Sequence, residues 1–113
     1  MLRWLLLLLP LAGCSKGPQA DLASISAARS LAAEWALVNE QANEGHLIAS
    51  YTETMRRMVH EQLRTTANSL TQPESPYGRE IAALLTQPAD AAPSKLRAHA
   101  AKLRQIEDSI ESA

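Results

Sequence analysis

The chain has 113 residues, and its 11 Lys and Arg against 12 Asp and Glu give a formal net charge of −1. That length suits one small domain, and that charge balance does not suggest a nucleic-acid-binding protein, which would need a strongly basic face. A single cysteine rules out a disulfide within the chain, and phenylalanine is absent. We therefore expect a thin core whose stability comes from packing alone.

The first thirteen residues have the layout of a secretory signal peptide. Arg3 precedes an apolar run from Trp4 to Leu9, which Pro10 and the small residue Gly13 follow. A positive charge, an apolar segment and a small cleavage site in this order are typical of secretory signals. A helix needs roughly 20 apolar residues to cross a bilayer, so this run is too short for a permanent span.

The stretch Leu11-Ala12-Gly13-Cys14 resembles the lipobox of bacterial lipoprotein precursors. The resemblance implies a diacylglyceryl group on the Cys14 thiol, cleavage between Gly13 and Cys14, and acylation of the new amino group. Several long acyl chains on one residue hold a protein to a membrane, because each buried methylene contributes about 0.8 kcal/mol. Ser15 stands where aspartate often signals inner-membrane retention, so the resemblance favours the periplasmic face of the outer membrane over the inner membrane.

The remaining chain divides into a tether and one domain. Residues 1–13 are predicted to be cleaved, and residues 14–20 to form the lipidated cysteine and a flexible tether interrupted by Gly17 and Pro18. Asp21 is predicted to be the N-cap of the first helix. Residues 21–113 are then predicted to form a single helical domain.

Apolar residues at spacings of three and four predict two long helices, over about 22–44 and 47–70. Gly45 is typical of a helix C-terminus, so an αα-hairpin that turns near Gly45 and His46 is expected. The alternative is one continuous helix, since a single glycine costs only about 1 kcal/mol within a helix. In the hairpin, Trp35 would lie opposite one of three residues of the second helix, namely Met55, Met58 or Val59.

Two shorter helices are predicted after the hairpin. The string Leu-Thr-Gln-Pro occurs at 70–73 and again at 85–88, and each proline stops a helix. Between the copies, Ser75 followed by Pro76 predicts a helix over 76–85, and a further apolar stripe predicts a C-terminal helix over 94–110. The expected fold is all-α, either a small helical bundle or a long hairpin with a shorter C-terminal pair.

Three arginines of the second helix are the candidate contact residues, and they are Arg56, Arg57 and Arg64. Glu53 is placed to pair with Arg57 at i, i+4 in the favourable order. Two interpretations stay open for this surface. It is either a solvated helix face or a contact for anionic lipid headgroups or an acidic protein partner.

No catalytic residue, metal site or cofactor is predicted, and the chain is not expected to be an enzyme. The string that begins at His60 and Glu61 differs from the His-Glu-x-x-His helix of zinc proteases, because Arg64 replaces the second histidine and a cation repels a metal. The predicted function is a small membrane-anchored, periplasm-facing lipoprotein with a structural or protein-interaction role. The alternative is an inhibitor or regulator that binds a soluble periplasmic protein through the arginine-rich second helix. The partner is unknown, and self-association into an oligomer is open.

Overall fold

The computed structural model describes residues 17–113 of the chain. The predicted signal peptide, the cleavage site after Gly13 and the lipidation site Cys14 lie outside the described residues. The expectations for these residues therefore stay predictions.

The described residues form one short 3₁₀ turn and four α-helices, with no β-strand among them. The turn covers Gly17–Asp21, and the helices are α1 (Leu22–Asn43), α2 (Ala49–Asn68), α3 (Pro76–Leu85) and α4 (Pro93–Glu111). The prediction of an all-α fold is confirmed. The two long helices are separate, so the alternative of one continuous helix is wrong.

The hairpin turns at Gly45, as the sequence indicates. Gly45 has a φ of +76°, in the left-handed region that glycine adopts without steric cost. The N–H of His46 donates to the carbonyl of Gln41 at 2.9 Å, and the N–H of Gly45 donates to Ala42 at 3.0 Å. These two bonds form a Schellman motif, which satisfies carbonyls that the end of α1 would otherwise leave unpaired.

Both α2 and α4 run antiparallel to α1. Two ion pairs hold α4 along α1, from Arg29 to Glu107 at 2.8 Å and from Arg97 to Glu40 at 3.0 Å. The hairpin partner α2 packs on another side of α1, and the short α3 contacts both α2 and α4. The result is a small bundle in which α3 is the short member.

The core confirms part of the predicted packing. Trp35 is only 1% exposed and shares one hydrophobic cluster with Val59, whereas Met58 is 46% exposed. The other large buried apolar side chains are Ile25, Leu63, Tyr77, Ile81, Leu84, Leu96 and Leu103. Of the three residues expected opposite Trp35, Val59 is therefore the one that belongs to the core.

Asp21 occupies the N-cap position of α1, as the sequence predicts, but it does not cap the helix with its side chain. That side chain makes no cap hydrogen bond and turns instead to the loop between α2 and α3. Its carboxylate accepts from the backbone N–H of Thr71 at 2.9 Å, the N–H of Gln72 at 3.2 Å and the Tyr77 hydroxyl at 2.5 Å. The 3₁₀ turn at Gly17–Asp21 brings the Asp21 side chain to these donors.

The start of α3 follows its sequence signals closely. The Ser75 side chain accepts from the N–H of Gly78 at 3.1 Å, and Pro76 occupies the first turn, where no N–H is required. The helix then passes against the preceding loop. A Cβ atom on Gly78 would overlap the carbonyl group of Pro73, so this position accepts no larger residue without movement of the backbone.

Candidate functional site

A groove of about 640 Å³ opens between α2 and the segment that follows α3. It exists because α3 ends at Leu85 and the next helix begins only at Pro93. Residues 86–92 therefore form an irregular segment, which lies opposite α2. The Trp35 indole N–H donates to the carbonyl of Ala89 at 2.9 Å, which fixes this segment on α1. Pro88 lies in the segment and cannot extend the helix.

The groove gathers the arginines that the sequence singled out. Arg56, Arg57 and Arg64 all line it, because Arg64 lies about two helical turns after the adjacent pair Arg56 and Arg57, on the same side of α2. The remaining lining residues are Trp35, Glu53, His60, Glu61, Gln87 and Ala89. The candidate contact residues therefore share one concave surface, which we call the arginine groove.

Arg56 is held in place by a buried amide. Its Nε donates to Oδ1 of Asn39 at 2.7 Å, and Asn39 is fully buried in α1. The Asn39 Nδ2 donates in turn to the carbonyls of Ala89 at 3.1 Å and Ala91 at 2.8 Å. One amide thus fixes both the guanidinium of Arg56 and the segment opposite it.

Sequence reasoning missed Asn39 as a positioning residue. The available signal was its spacing, because it follows Trp35 by four residues within the densest apolar stretch of α1. A polar side chain on a buried helix face needs hydrogen-bond partners, since an unsatisfied buried group costs about 1–3 kcal/mol. The identity of those partners, two carbonyls of a distant irregular segment, has no signal in the sequence.

Arg57 and Arg64 are exposed in the groove. Among residues 17–113, no carboxylate lies within 4 Å of Arg56, Arg57 or Arg64, whereas Arg29 and Arg97 are both paired. The predicted Glu53–Arg57 ion pair is therefore not formed. An exposed pair at this spacing contributes only about 0.3–0.5 kcal/mol, too little to hold two long side chains in one geometry.

His60 forms part of the groove wall. Its Nε2 lies 3.3 Å from the carbonyl of Leu85, and its ring meets Trp35 edge-on with the centroids 6.5 Å apart. His60 is half-buried and joins α2 to the end of α3. The surface that carries the three arginines is therefore not solvated along its whole length, because His60 within it is packed against Trp35.

A second polar cluster lies between α3 and α4. His99 Nδ1 is 2.5 Å from Glu80 Oε2, and Lys102 Nζ is 3.8 Å from the other oxygen of that carboxylate. Gln87 connects this cluster to the groove, with its Nε2 3.4 Å from His99 Nε2. Within the described part of the chain, no group of three or more His, Cys, Asp or Glu side chains is arranged to hold a metal ion.

None of the helices from Gly17 onward is long and apolar enough to cross a membrane. In comparisons with family models, with curated proteins and with solved structures, nothing matches this chain.

Proposed function

We propose that this chain is a membrane-anchored, periplasm-facing lipoprotein whose helical domain binds a protein partner through the arginine groove. One observation carries the proposal. Arg56, Arg57 and Arg64 line the same concave surface, and no described carboxylate lies within 4 Å of them. Arginine is enriched at interaction sites, since its planar guanidinium presents five donors to carboxylate groups.

The length of chain between the lipid and the domain supports a role at the membrane surface. Only two residues, Ser15 and Lys16, separate Cys14 from Gly17, and an extended chain spans the three steps from Cys14 to Gly17 in about 10 Å. The hydrogen bonds to Asp21 then fix the start of α1. A lipid on Cys14 would therefore hold the domain next to the bilayer, where confinement raises its effective concentration toward other membrane-associated proteins.

The position of the groove favours a protein partner over lipid headgroups. Trp35 follows Asp21 by 14 residues, so the Trp35 wall of the groove lies about 21 Å along α1 from the anchored end. Arg56 and Arg57 lie at the same far end of the groove, whereas Arg64 is nearer to the anchored end, because Ser69 of the same chain segment contacts Ser24. Charges about 21 Å apart are largely screened, because the Debye length is about 8 Å at physiological ionic strength. The anchored end itself carries acidic residues, namely Glu74, Asp108 and Glu111.

A photoreactive amino acid at Gln87 would test the interaction role in intact cells. Gln87 lines the groove and leaves all three arginines unchanged. The matched control is a photoreactive residue at Arg104, which is exposed on α4 outside the groove. We expect one reproducible crosslinked protein from position 87, and we expect that this protein is not crosslinked from position 104. Crosslinks that are the same from both positions would contradict a specific site.

The anchor has a separate test. We expect the mass of the exported protein to correspond to a chain that starts at Cys14 and carries acyl groups. A Cys14→Ser variant should leave the membrane fraction, since the lipid supplies the attachment. An unmodified thiol in the exported protein, or a membrane fraction unchanged by Cys14→Ser, would contradict the anchored arrangement.

A second candidate is an inhibitor or regulator of a soluble periplasmic protein. The separation of about 21 Å between Trp35 in the groove and the anchored end favours it, because a partner could dock at that part of the groove without touching the bilayer. Fractionation of the crosslinked neighbour distinguishes the two candidates. A neighbour found with the membrane supports the first, a soluble neighbour supports the second, and a second copy of this chain would indicate an oligomer.

A further inference from the structure

We propose that the ligand of the arginine groove is a peptide segment of a partner protein that carries acidic residues among residues of other charge. The inference rests on the proposed interaction function and names the chemistry of the ligand. The groove combines a fixed guanidinium, two exposed arginines and two carboxylates along one helix. Each of these features restricts what can bind.

The exposed arginines set the first restriction. Arg57 and Arg64 are seven residues apart, which places them on the same side of α2 with a rise of about 10.5 Å between them. A ligand that meets both needs two anionic groups at about that separation. A single inorganic anion would reach only one of them, whereas acidic side chains of one peptide reach both.

The carboxylates set the second restriction. Glu53 precedes the arginines on α2, and Glu61 lies between Arg57 and Arg64. A uniformly anionic surface, such as a lipid headgroup layer, would bring negative charge onto both glutamates as it approached the arginines. A peptide of mixed charge avoids this repulsion, because a cationic or amide side chain can face each glutamate.

Arg56 supplies the fixed donor of the site. Asn39 accepts from its Nε at 2.7 Å, which leaves the two terminal nitrogens for a ligand. A guanidinium that is already oriented loses less rotamer freedom when it binds a carboxylate. Arg56 is therefore expected to contribute through its planar shape as well as its charge, and lysine should not replace it.

A peptide-library selection on the lipidated protein in detergent micelles tests the proposal. The probe is a random twelve-residue library, and the compared proteins are the natural chain, Arg57→Gln with Arg64→Gln, and Arg104→Gln as the matched control. We expect the natural chain and the control to enrich the same acid-containing peptides. The double variant should bind those peptides at least tenfold more weakly, as expected for lost hydrogen bonds to charged groups.

Arg56→Lys separates positioned geometry from charge. It keeps the cation but loses the planar fork and the Nε–H bond to Asn39, and we expect a loss of affinity of about tenfold, measured at a temperature at which circular dichroism shows the variant to be fully folded. Peptides that bind Arg56→Lys and the double variant as tightly as the natural chain would overturn the proposal. So would enrichment of neutral or basic peptides, or no enrichment.

Two further probes distinguish other ligands. Inorganic phosphate is offered to the same proteins. Phosphatidylglycerol vesicles are offered to them after transfer from detergent into phosphatidylcholine nanodiscs, with phosphatidylcholine vesicles as the neutral reference. We expect neither phosphate nor either vesicle to compete with the selected peptides at physiological salt. Competition by phosphatidylglycerol that Arg57→Gln and Arg64→Gln abolish would assign the groove to headgroups instead. If crosslinking from Gln87 identifies a partner while peptide selection fails, the interaction function stands and only the acidic-peptide ligand is contradicted.

Discussion

The carboxylate of Asp21 accepts the hydroxyl hydrogen of Tyr77 at 2.5 Å, which joins two residues that are 56 positions apart in the sequence. Both side chains are buried, with exposures of 1% and 2%. The bond fastens the first residues of the domain to α3. It thereby fixes the end of the bundle from which residues 14–20 would lead to the lipid.

Tyr77→Phe tests how much this contact stabilises the fold. The change keeps the ring and removes one charge-assisted hydrogen bond, so we expect a loss of about 1.5–3 kcal/mol in the free energy of unfolding. Urea unfolding followed by circular dichroism measures it. Tyr51→Phe is the matched control, since Tyr51 is 49% exposed, and it should change stability by less than about 0.5 kcal/mol. Equal effects of the two substitutions would contradict a structural role for the contact.

The same contact predicts how stability depends on pH. Burial raises the pKa of Asp21, but hydrogen bonds from Tyr77, Thr71 and Gln72 lower it, and the net pKa lies below its ordinary value of 3.8. A carboxyl group whose pKa is lower in the folded state stabilises the fold above its unfolded pKa. We expect this contribution to be present at neutral pH and to be lost as the pH falls below 3.8.

At alkaline pH, Tyr77 has the opposite effect on stability, because its pKa is raised in the folded state. Burial raises the pKa of Tyr77 above its ordinary value of 10.0, and the hydrogen bond to Asp21 raises it further. This contribution is therefore present below pH 10.0 and lost above it. Urea unfolding from pH 2 to pH 11, with Asp21→Asn as the comparison, measures both effects. If the natural chain and Asp21→Asn differ in stability by the same amount across that pH range, the predicted pH dependence is contradicted.

Gly78→Ala is expected to destabilise the protein although alanine is the better helix former. The added Cβ would overlap the carbonyl of Pro73, so the loop or α3 has to shift. Overpacking of this kind costs about 1–3 kcal/mol, which exceeds the gain of about 1 kcal/mol in helix propensity. Thermal unfolding measures the result. Ala82→Gly, at an exposed position of the same helix, measures how much helix propensity alone changes the stability. A stabilised Gly78→Ala variant would show that the approach to Pro73 is not tight.

Asn39→Leu tests the link between the buried core and the groove. The substitution leaves the carbonyl of Ala91 and the Nε of Arg56 without their partner, and each unsatisfied group costs about 1–3 kcal/mol. We expect a clear fall in the free energy of unfolding. Asn43→Leu, at the exposed end of the same helix, is the control and should have little effect. If the two variants unfold alike, Asn39 does not fix the groove.

The fold was predictable where the signals are local. Gly45 ends α1 and Ser75 with Pro76 begins α3, because capping and proline geometry depend on neighbouring residues alone. Asp21 shows the limit of this reasoning. Its local sequence fits an N-cap, yet its partners come from positions 71, 72 and 77, which no spacing in the sequence connects to it.

The two copies of Leu-Thr-Gln-Pro show a second limit. Each copy follows the end of a helix, since α2 ends at Asn68 and α3 ends at Leu85, but their surroundings differ. Thr71 and Gln72 of the first copy bind the carboxylate of Asp21, whereas Gln87 of the second lines the groove. The arginines could be placed on one helix face from their spacing. The opposite wall of the groove could not, because its position depends on Trp35 and Asn39 of a distant helix.

The most direct test of the account is crosslinking from a photoreactive residue at Gln87 in cells that carry the combined substitution Arg57→Glu and Arg64→Glu. We expect reversal of both charges to abolish the crosslinked product, whereas Arg104→Glu should leave it unchanged and all the proteins should stay in the membrane fraction. An undiminished product from the doubly reversed variant would contradict the claim that the arginine groove binds the partner.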